Sequence, residues 1–296
     1  MNNTIKEKKL AKTAKKEIKS IKKPTHFYLR ILSRHPSISP LRNSILIKGV
    51  KAVYRHGSTT NSDFEFEINS VESIKNSADK KLMKEAFDRS EVKHAPWIHL
   101  AKATTDKISW DKFLANLDFI KDKDSWLIIK NRWGSRGVGN TLVKTKEQLD
   151  VFLKEKTKSL ENYIVEEYKN YSVEYRIHVT EEGYFYTCRK MLKENTPKED
   201  RFQRHDDNCS WFVETNPKFN KPENWNEMVE DCKKAVKALG ADVLGFDIKC
   251  TSVKESKDKK ARYILIESCS APSFGEGTLK KYTEELPKII QRKYSL

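Results

Sequence analysis

The stretch WLIIKNRWGSRGVGNTLVKT, residues 126–145, runs from an apolar strand into Lys130 and then into a loop with glycines at 134, 137 and 139. The whole chain has 10 glycines, so three of them within six residues need a physical reason. Two readings fit. The first is a β-hairpin whose tight turn needs positive φ, which glycine adopts without steric cost. The second is a loop whose bare N–H groups close over phosphate oxygens, with Lys130 adding charge to the same anion. The spacing matches neither G-x-G-x-x-G nor G-x-x-x-x-G-K-[ST], so the loop alone does not decide between them.

The chain has 296 residues, long enough for two or three subdomains. It is polar, at 37% hydrophobic and 34% charged, but 6 Trp, 13 Phe and 11 Tyr argue against general disorder. No apolar run approaches the roughly 18 residues of a membrane-spanning helix. The basic N-terminus lacks the apolar segment of a secretory signal. The cysteines at 188, 209, 232, 250 and 269 are odd in number and show neither a C-x-x-C pair nor a metal spacing. They read as reduced thiols of a cytoplasmic protein.

The formal net charge of +16 is uneven. Residues 1–34 hold eleven Lys or Arg against Glu7 and Glu17. Such an arm is either attracted to nucleic acid or another polyanion, or is a solvated tail that aids solubility. No aromatic residue interrupts it before Phe27, so it shows no surface for stacking bases.

Further along, SILIKGVKAVY and FEFEI read as strands, and SADKKLMKEAFDRSEV as one helix with Leu82, Met83, Ala86 and Phe87 on a face. Pro96 precedes another strand. Trp110, Phe113, Leu114 and Leu117 predict a helix over 105–123. WLIIK, TLVKT, NYIVEEY, EYRIHVT, GYFYTCRKML, VLGFDIKC and ARYILIESC read as strands by their β-branched and aromatic content. Residues 193–210 read as a polar loop. KEQLDVFLKEKTK, NWNEMVEDCKKAVKALG and residues 276–293 read as helices. Strand groups that look antiparallel alternate with helices, which predicts α+β layers.

Asp247 and Glu267 close the apolar strands LGFD and YILIE. A carboxylate in such a place is costly unless paired or bound to a cation, and two hard oxygen ligands suit Mg²⁺.

Taken in order, ADKKLMKEAF, HAPWIHL, IIKNRWGSRGVG, IVEEYKNYSVEYR, GFDIKC and ILIESCSAPS resemble the ATP-grasp superfamily. The pattern is similar to that of D-alanine–D-alanine ligases and ribosomal-protein glutamate ligases, over about residues 75–293. Compact bacteriophage-encoded members look similar too, including a turn like Arg55-His56-Gly57-Ser58. The resemblance implies an α+β ATP-grasp fold, with two subdomains gripping ATP. It divides the chain into a basic arm at 1–40, partly helical or flexible, and a short α/β remnant at 41–75. The first grasp subdomain, with the glycine flap, would be 76–165, and the second, with the metal site, 166–296.

The resemblance also implies roles. Lys80 and Lys130 would hold phosphates, and Gly134, Ser135, Arg136, Gly137, Val138 and Gly139 would fold over them. Glu166, Glu167 and Tyr168 would form the adenine hinge, and Glu174 would meet the ribose hydroxyls. Asp247 and Glu267 would hold one or two Mg²⁺ ions. Arg189 and Lys190 rank first for the reacting carboxylate or acylphosphate, followed by Arg176 and Arg204, since guanidinium forks fit carboxylates. The implied activity is an ATP-dependent carboxylate–amine ligase acting on an acidic peptide, a protein or a small molecule. The alternative is a nucleic-acid- or polyanion-binding protein that uses ATP as a ligand or switch. Three positions depart from the pattern, one of them Ser273, where a glycine is usual after the proline. Cys269 stands where a metal-binding Asn is usual, and a thiol is a soft ligand for Mg²⁺. Gly245 stands where the D-alanine ligases carry an arginine.

Overall fold

The computed structural model describes residues 26–32, 49–115, 126–135, 137–202, 204–205, 207–253 and 259–295. Most of the expected basic arm, and Arg136 of the flap, lie outside these residues. The described strands are β1 (His26–Leu32), β2 (Gly49–Arg55), β3 (Phe66–Ile68), β4 (Trp97–His99), β5 (Trp126–Asn131) and β6 (Thr141–Val143). They continue with β7 (Tyr163–Tyr168), β8 (Val173–Thr180), β9 (Gly183–Leu192), β10 (Cys209–Val213), β11 (Leu244–Cys250) and β12 (Tyr263–Cys269). The α-helices are α1 (Val71–Ala78), α2 (Lys80–Arg89), α3 (Leu100–Thr105), α4 (Lys107–Ala115), α5 (Lys146–Glu155), α6 (Trp225–Ala238) and α7 (Glu276–Tyr294).

Three sheets organise them. β1-β2-β3 is parallel throughout. Its Ile31, Ala52, Tyr54 and Ile68 pack with Tyr282, Leu286, Ile289 and Ile290 of α7. β4-β7-β5-β6 is antiparallel, and its core holds Leu127, Ile129, Val143, Leu149, Phe152 and Val165. β10-β9-β8-β11-β12 is a second antiparallel sheet, backed by α6 and α2.

Strand alternation decides what faces where. In β8, Val173, Tyr175, Ile177 and Val179 enter the core, as do Leu244, Phe246, Ile248 and Cys250 of β11. The intervening Glu174, Arg176, His178, Gly245, Asp247 and Lys249 then point to the opposite face. In β5 the same rule sends Leu127 and Ile129 to the core, while Ile128 and Lys130 line the facing cleft.

Several boundaries differ from expectation. β1 lies within the residues assigned to the arm. The helix read over SADKKLMKEAFDRSEV is broken at Asp79, whose carboxylate accepts from the Lys81 N–H at 2.9 Å and caps α2. α2 was expected with the first subdomain, but its Met83, Ala86 and Phe87 pack on the five-stranded sheet. The expected division at residue 166 falls inside β7, which pairs along its length with β5. β10 begins within the stretch read as loop. Of the helix predicted over 105–123, Lys107–Ala115 forms α4, preceded by the separate short helix α3, and residues 116–123 lie outside the described residues. No helix among the described residues is long and apolar enough to cross a membrane.

Candidate functional site

A cleft of about 400 Å³ lies between the four- and five-stranded sheets. Register pairing sets out its floor. One row reads Cys188, Arg176, Asp247, Glu267 across β9, β8, β11 and β12. The next row on the same face reads Trp211, Lys190, Glu174, Lys249, Ile264 from β10 to β12.

Simple alternation in β12 would turn Glu267 to the core, because Ile264 and Ile266 both line the cleft. A register shift between Asp247 and Ile248 adds one residue to β12 and brings Glu267 opposite Asp247. Ser268 then points inward, where its hydroxyl lies 3.1 Å from that of Ser77.

The glycine loop is the connection between β5 and β6, and the structure explains its composition. Gly137 and Gly139 have φ of 77° and 78°. A Cβ on Gly134 would lie 2.9 Å from the Val138 carbonyl oxygen. Turn bonds run from Val138 N–H to Ser135 O and from Asn140 N–H to Gly137 O, each 3.0 Å. Gly134, Ser135 and Gly137 line the cleft. Val138 does not; it is 73% exposed. Gly139 is also exposed and outside the lining.

The expected phosphate lysines reach the cleft from two elements. Lys80, in the first turn of α2, donates to the Gly134 carbonyl and lies 3.7 Å from Glu267. Lys130 ends the cleft face of β5 and donates to Glu166. Lys84, one turn beyond Lys80, pairs with the other Glu166 oxygen at 2.8 Å. Glu166 is 2% exposed. Burial opposes its charge, but Lys130 and then Lys84 override it and hold the carboxyl at about 2. In this arrangement its carboxylate pairs with two cations, Lys130 and Lys84. Glu167 lies beside it, with Lys169 at 2.8 Å, and Tyr168 also lines the cleft.

Glu174 is buried and accepts from Lys190 at 2.8 Å and Arg204 at 3.4 Å. Lys190 also donates to Asp247 at 2.6 Å, and Arg176 grips the same carboxylate through two bonds of 2.7 and 2.8 Å. Burial raises the Asp247 carboxyl, but Arg176 and Lys190 more than offset this and hold it well below the usual range. Trp211 lies 5.2 Å from both cations, ring centroid to charge. Arg189 points the other way, because it neighbours Lys190 in β9. It donates to the Lys218 carbonyl at 2.7 Å and does not line the cleft. Of the first-ranked pair, Lys190 alone faces the site.

The metal expectation meets an obstacle. Asp247 and Glu267 are cross-strand partners. Yet three of the roughly four acceptor positions of Asp247 are taken by cationic donors. No group of three or more His, Cys, Asp or Glu side chains among the described residues could hold a metal ion. Cys269 adds a thiol that burial keeps protonated. The residues as arranged do not fit bound Mg²⁺, because Arg176 and Lys190 already occupy the place of its charge.

Several residues in the cleft, or buried behind it like Lys84, escaped the sequence reading. Lys249 was legible as the second residue after Asp247 on the same strand face. Lys84 was legible as one helical turn from Lys80. Trp211 was not, because no strand was read at β10. Burial pulls the Lys249 ammonium down to about 7, partly offset by Glu174.

The backbone arrangement matches solved structures. D-alanyl-alanine synthetase A from Vibrio cholerae is 14% identical with a TM-score of 0.58, over 83% of this chain and 77% of that one. D-alanine–D-alanine ligase from Bacillus anthracis, complexed with ATP, is 14% identical with a TM-score of 0.51, over 81% and 78%. The fold is ATP-grasp. The biotin carboxylase–β,γ-ATP complex from Campylobacter jejuni is similar at 15% identity and a TM-score of 0.55, over 81% of this chain and 53% of that one. The chain thus spans from about half to about three quarters of the length of these ATP-grasp structures. No protein-family model and no curated protein matches the sequence.

Proposed function

We propose that the chain is an ATP-dependent carboxylate–amine ligase that works through an acylphosphate. The observation that carries this reading is the convergence of Lys80, Lys130, Arg176 and Lys190 with the glycine loop on one cleft, within a fold shared with ATP-bound proteins. Compact ammonium charges and bare backbone amides suit a polyphosphate. Ile128, Tyr168, Phe202, Ile264 and Ile266 give the cleft an apolar part suited to a base. Glu174 is the candidate for the ribose hydroxyls.

In this mechanism a substrate carboxylate oxygen attacks the γ-phosphorus, and the β–γ bridging oxygen leaves with ADP. An amine then attacks the acyl carbon and inorganic phosphate leaves. Lys80 and Lys130 orient the triphosphate. Arg176 and Lys190 neutralise the transferred phosphoryl group, a role worth most in a cleft that excludes water. No step is assigned to a metal ion.

The test is ADP release from ATP with a pool of amino acids and short acidic peptides, with hydroxylamine as trap. ADP with a hydroxamate supports the ligase. ATP binding without ADP across the whole pool counts against it and favours a second reading, a nucleotide binder without turnover. The taking up of Asp247 by Arg176 and Lys190 and the thiol at Cys269 favour that second reading. The combination with nucleic acid or another polyanion rests on the basic residues 1–34. It predicts binding that weakens steeply with salt and is lost on deleting residues 1–24.

A further inference from the structure

Lys249 is 5% exposed and lines the cleft. Its Nζ lies 3.4 Å from the Tyr168 hydroxyl and 3.3 Å from the Phe202 carbonyl oxygen. It sits 4.5 Å above the Tyr168 ring. The carboxylates around it are committed elsewhere: Glu174 to Lys190 and Arg204, Glu166 to Lys84 and Lys130. Among the described residues no carboxylate oxygen comes within ion-pair distance of Lys249. A buried amine with two long contacts to neutral oxygens is a costly arrangement for the protein alone.

Its place suggests what completes it. Along β11, Asp247 belongs to the row with Glu267, beside Lys80. Lys249 lies two residues further, about 7 Å along the strand. There its row neighbour on β12 is Ile264, and Ile128, Tyr168, Phe202 and Ile266 surround the same part of the cleft. These side chains give Lys249 an apolar and aromatic wall on the β12 side, while Glu174 of β8 neighbours it on the other. A planar heteroaromatic ring fits the apolar walls, and the amine offers hydrogen-bond donors to such a ring.

We propose that Lys249 reads the nucleobase, donating to a ring nitrogen of the bound purine. This deepens the nucleotide-binding reading above and rests on it. Charged or neutral, the Lys249 amine presents N–H donors, which a ring nitrogen lone pair satisfies and an exocyclic amino group, itself chiefly a donor, satisfies poorly. Lys249 therefore selects for purines that present a ring acceptor at this position. It acts on affinity and base choice, and no bond-making is assigned to it.

The test is calorimetric titration of the full chain with ATP and with 1-deaza-, 3-deaza- and 7-deaza-ATP, each of which replaces one ring nitrogen by C–H. The wild type is expected to bind one analogue about tenfold to a hundredfold more weakly than ATP, the range for a hydrogen bond to a charged group. Lys249→Met keeps the length of the side chain and removes its donors. It is expected to bind ATP and that analogue alike, with an unliganded thermal midpoint no lower than wild type. Equal wild-type affinity for ATP and all three analogues would overturn the inference, whatever the variant does. So would undiminished discrimination in Lys249→Met. No binding of ATP by the wild type would overturn the nucleotide reading itself and this inference with it.

Discussion

Replacing Glu166 by Gln tests the electrostatic core of the cleft. The wild-type carboxylate is 2% exposed and lies between Lys130 and Lys84. Its carboxyl is held at about 2, against an ordinary 4.5. At about 1.4 kcal/mol for each tenfold change in proton affinity, the ionised form is favoured in the fold by about 3 kcal/mol. Removing one partner of a buried ion pair costs a similar amount, because the remaining charges stay buried. The sign follows from the depressed value. This stability is fully present above pH 4.5 and is lost as pH falls towards 2, shrinking to about 1 kcal/mol near pH 3. Glu166→Gln is therefore expected to lose about 3 kcal/mol at pH 7, or on the order of 5–10 °C in thermal midpoint. The gap to wild type should narrow between pH 5 and pH 3. Calorimetric or fluorescence melts of both proteins across that range provide the measurement. Equal midpoints at pH 7, or a gap independent of pH, would refute the account of Glu166 as the anchor of Lys130 and Lys84.

The remaining predictions concern the cleft and its border. Lys130→Ala is expected to weaken ATP binding about tenfold or more by calorimetry, and unchanged affinity would remove this lysine from the site. Arg189→Ala is expected to leave ATP affinity unchanged, since its guanidinium is turned to the Lys218 carbonyl; a loss like that of Lys190→Ala would contradict the strand register. ATP binding is expected to persist in EDTA, because Arg176 and Lys190 already neutralise Asp247. Complete loss on chelation would show that Asp247 leaves these partners for a cation. Gly57→Ala is expected to cost about 1–3 kcal/mol in thermal or urea melts. Its φ is +66° and the new Cβ would meet the Ala271 Cβ at 2.6 Å; an unaffected melt would mean the loop at 57 is not held against residue 271.

Much of the ATP-grasp fold was legible in the order of local signals. Strand alternation in SVEYRIHVT and LGFDIKC separates core residues from cleft residues without coordinates, because the period of two depends on the backbone alone. Thus Glu174, Arg176, Asp247 and Lys249 could be assigned to one face from sequence. The spacing of Lys80 and Lys84 on α2 was equally visible, as was the need for glycine near a tight turn after Lys130.

Packing between distant elements settled the rest. The register shift that turns Glu267 beside Asp247 has no signature in YILIESC, because a bulge depends on the partner strand. The preference for Lys190 over Arg189 needed the neighbours of β9. The commitment of Glu166 to Lys130 and Lys84, and of Asp247 to Arg176 and Lys190, joins residues 36 to 82 positions apart in the chain. Such pairs form because burial makes an unpartnered charge costly. Local sequence can place a charged side chain on a face, but the partner that neutralises it comes from another strand or helix, and the folded chain alone brings the two together.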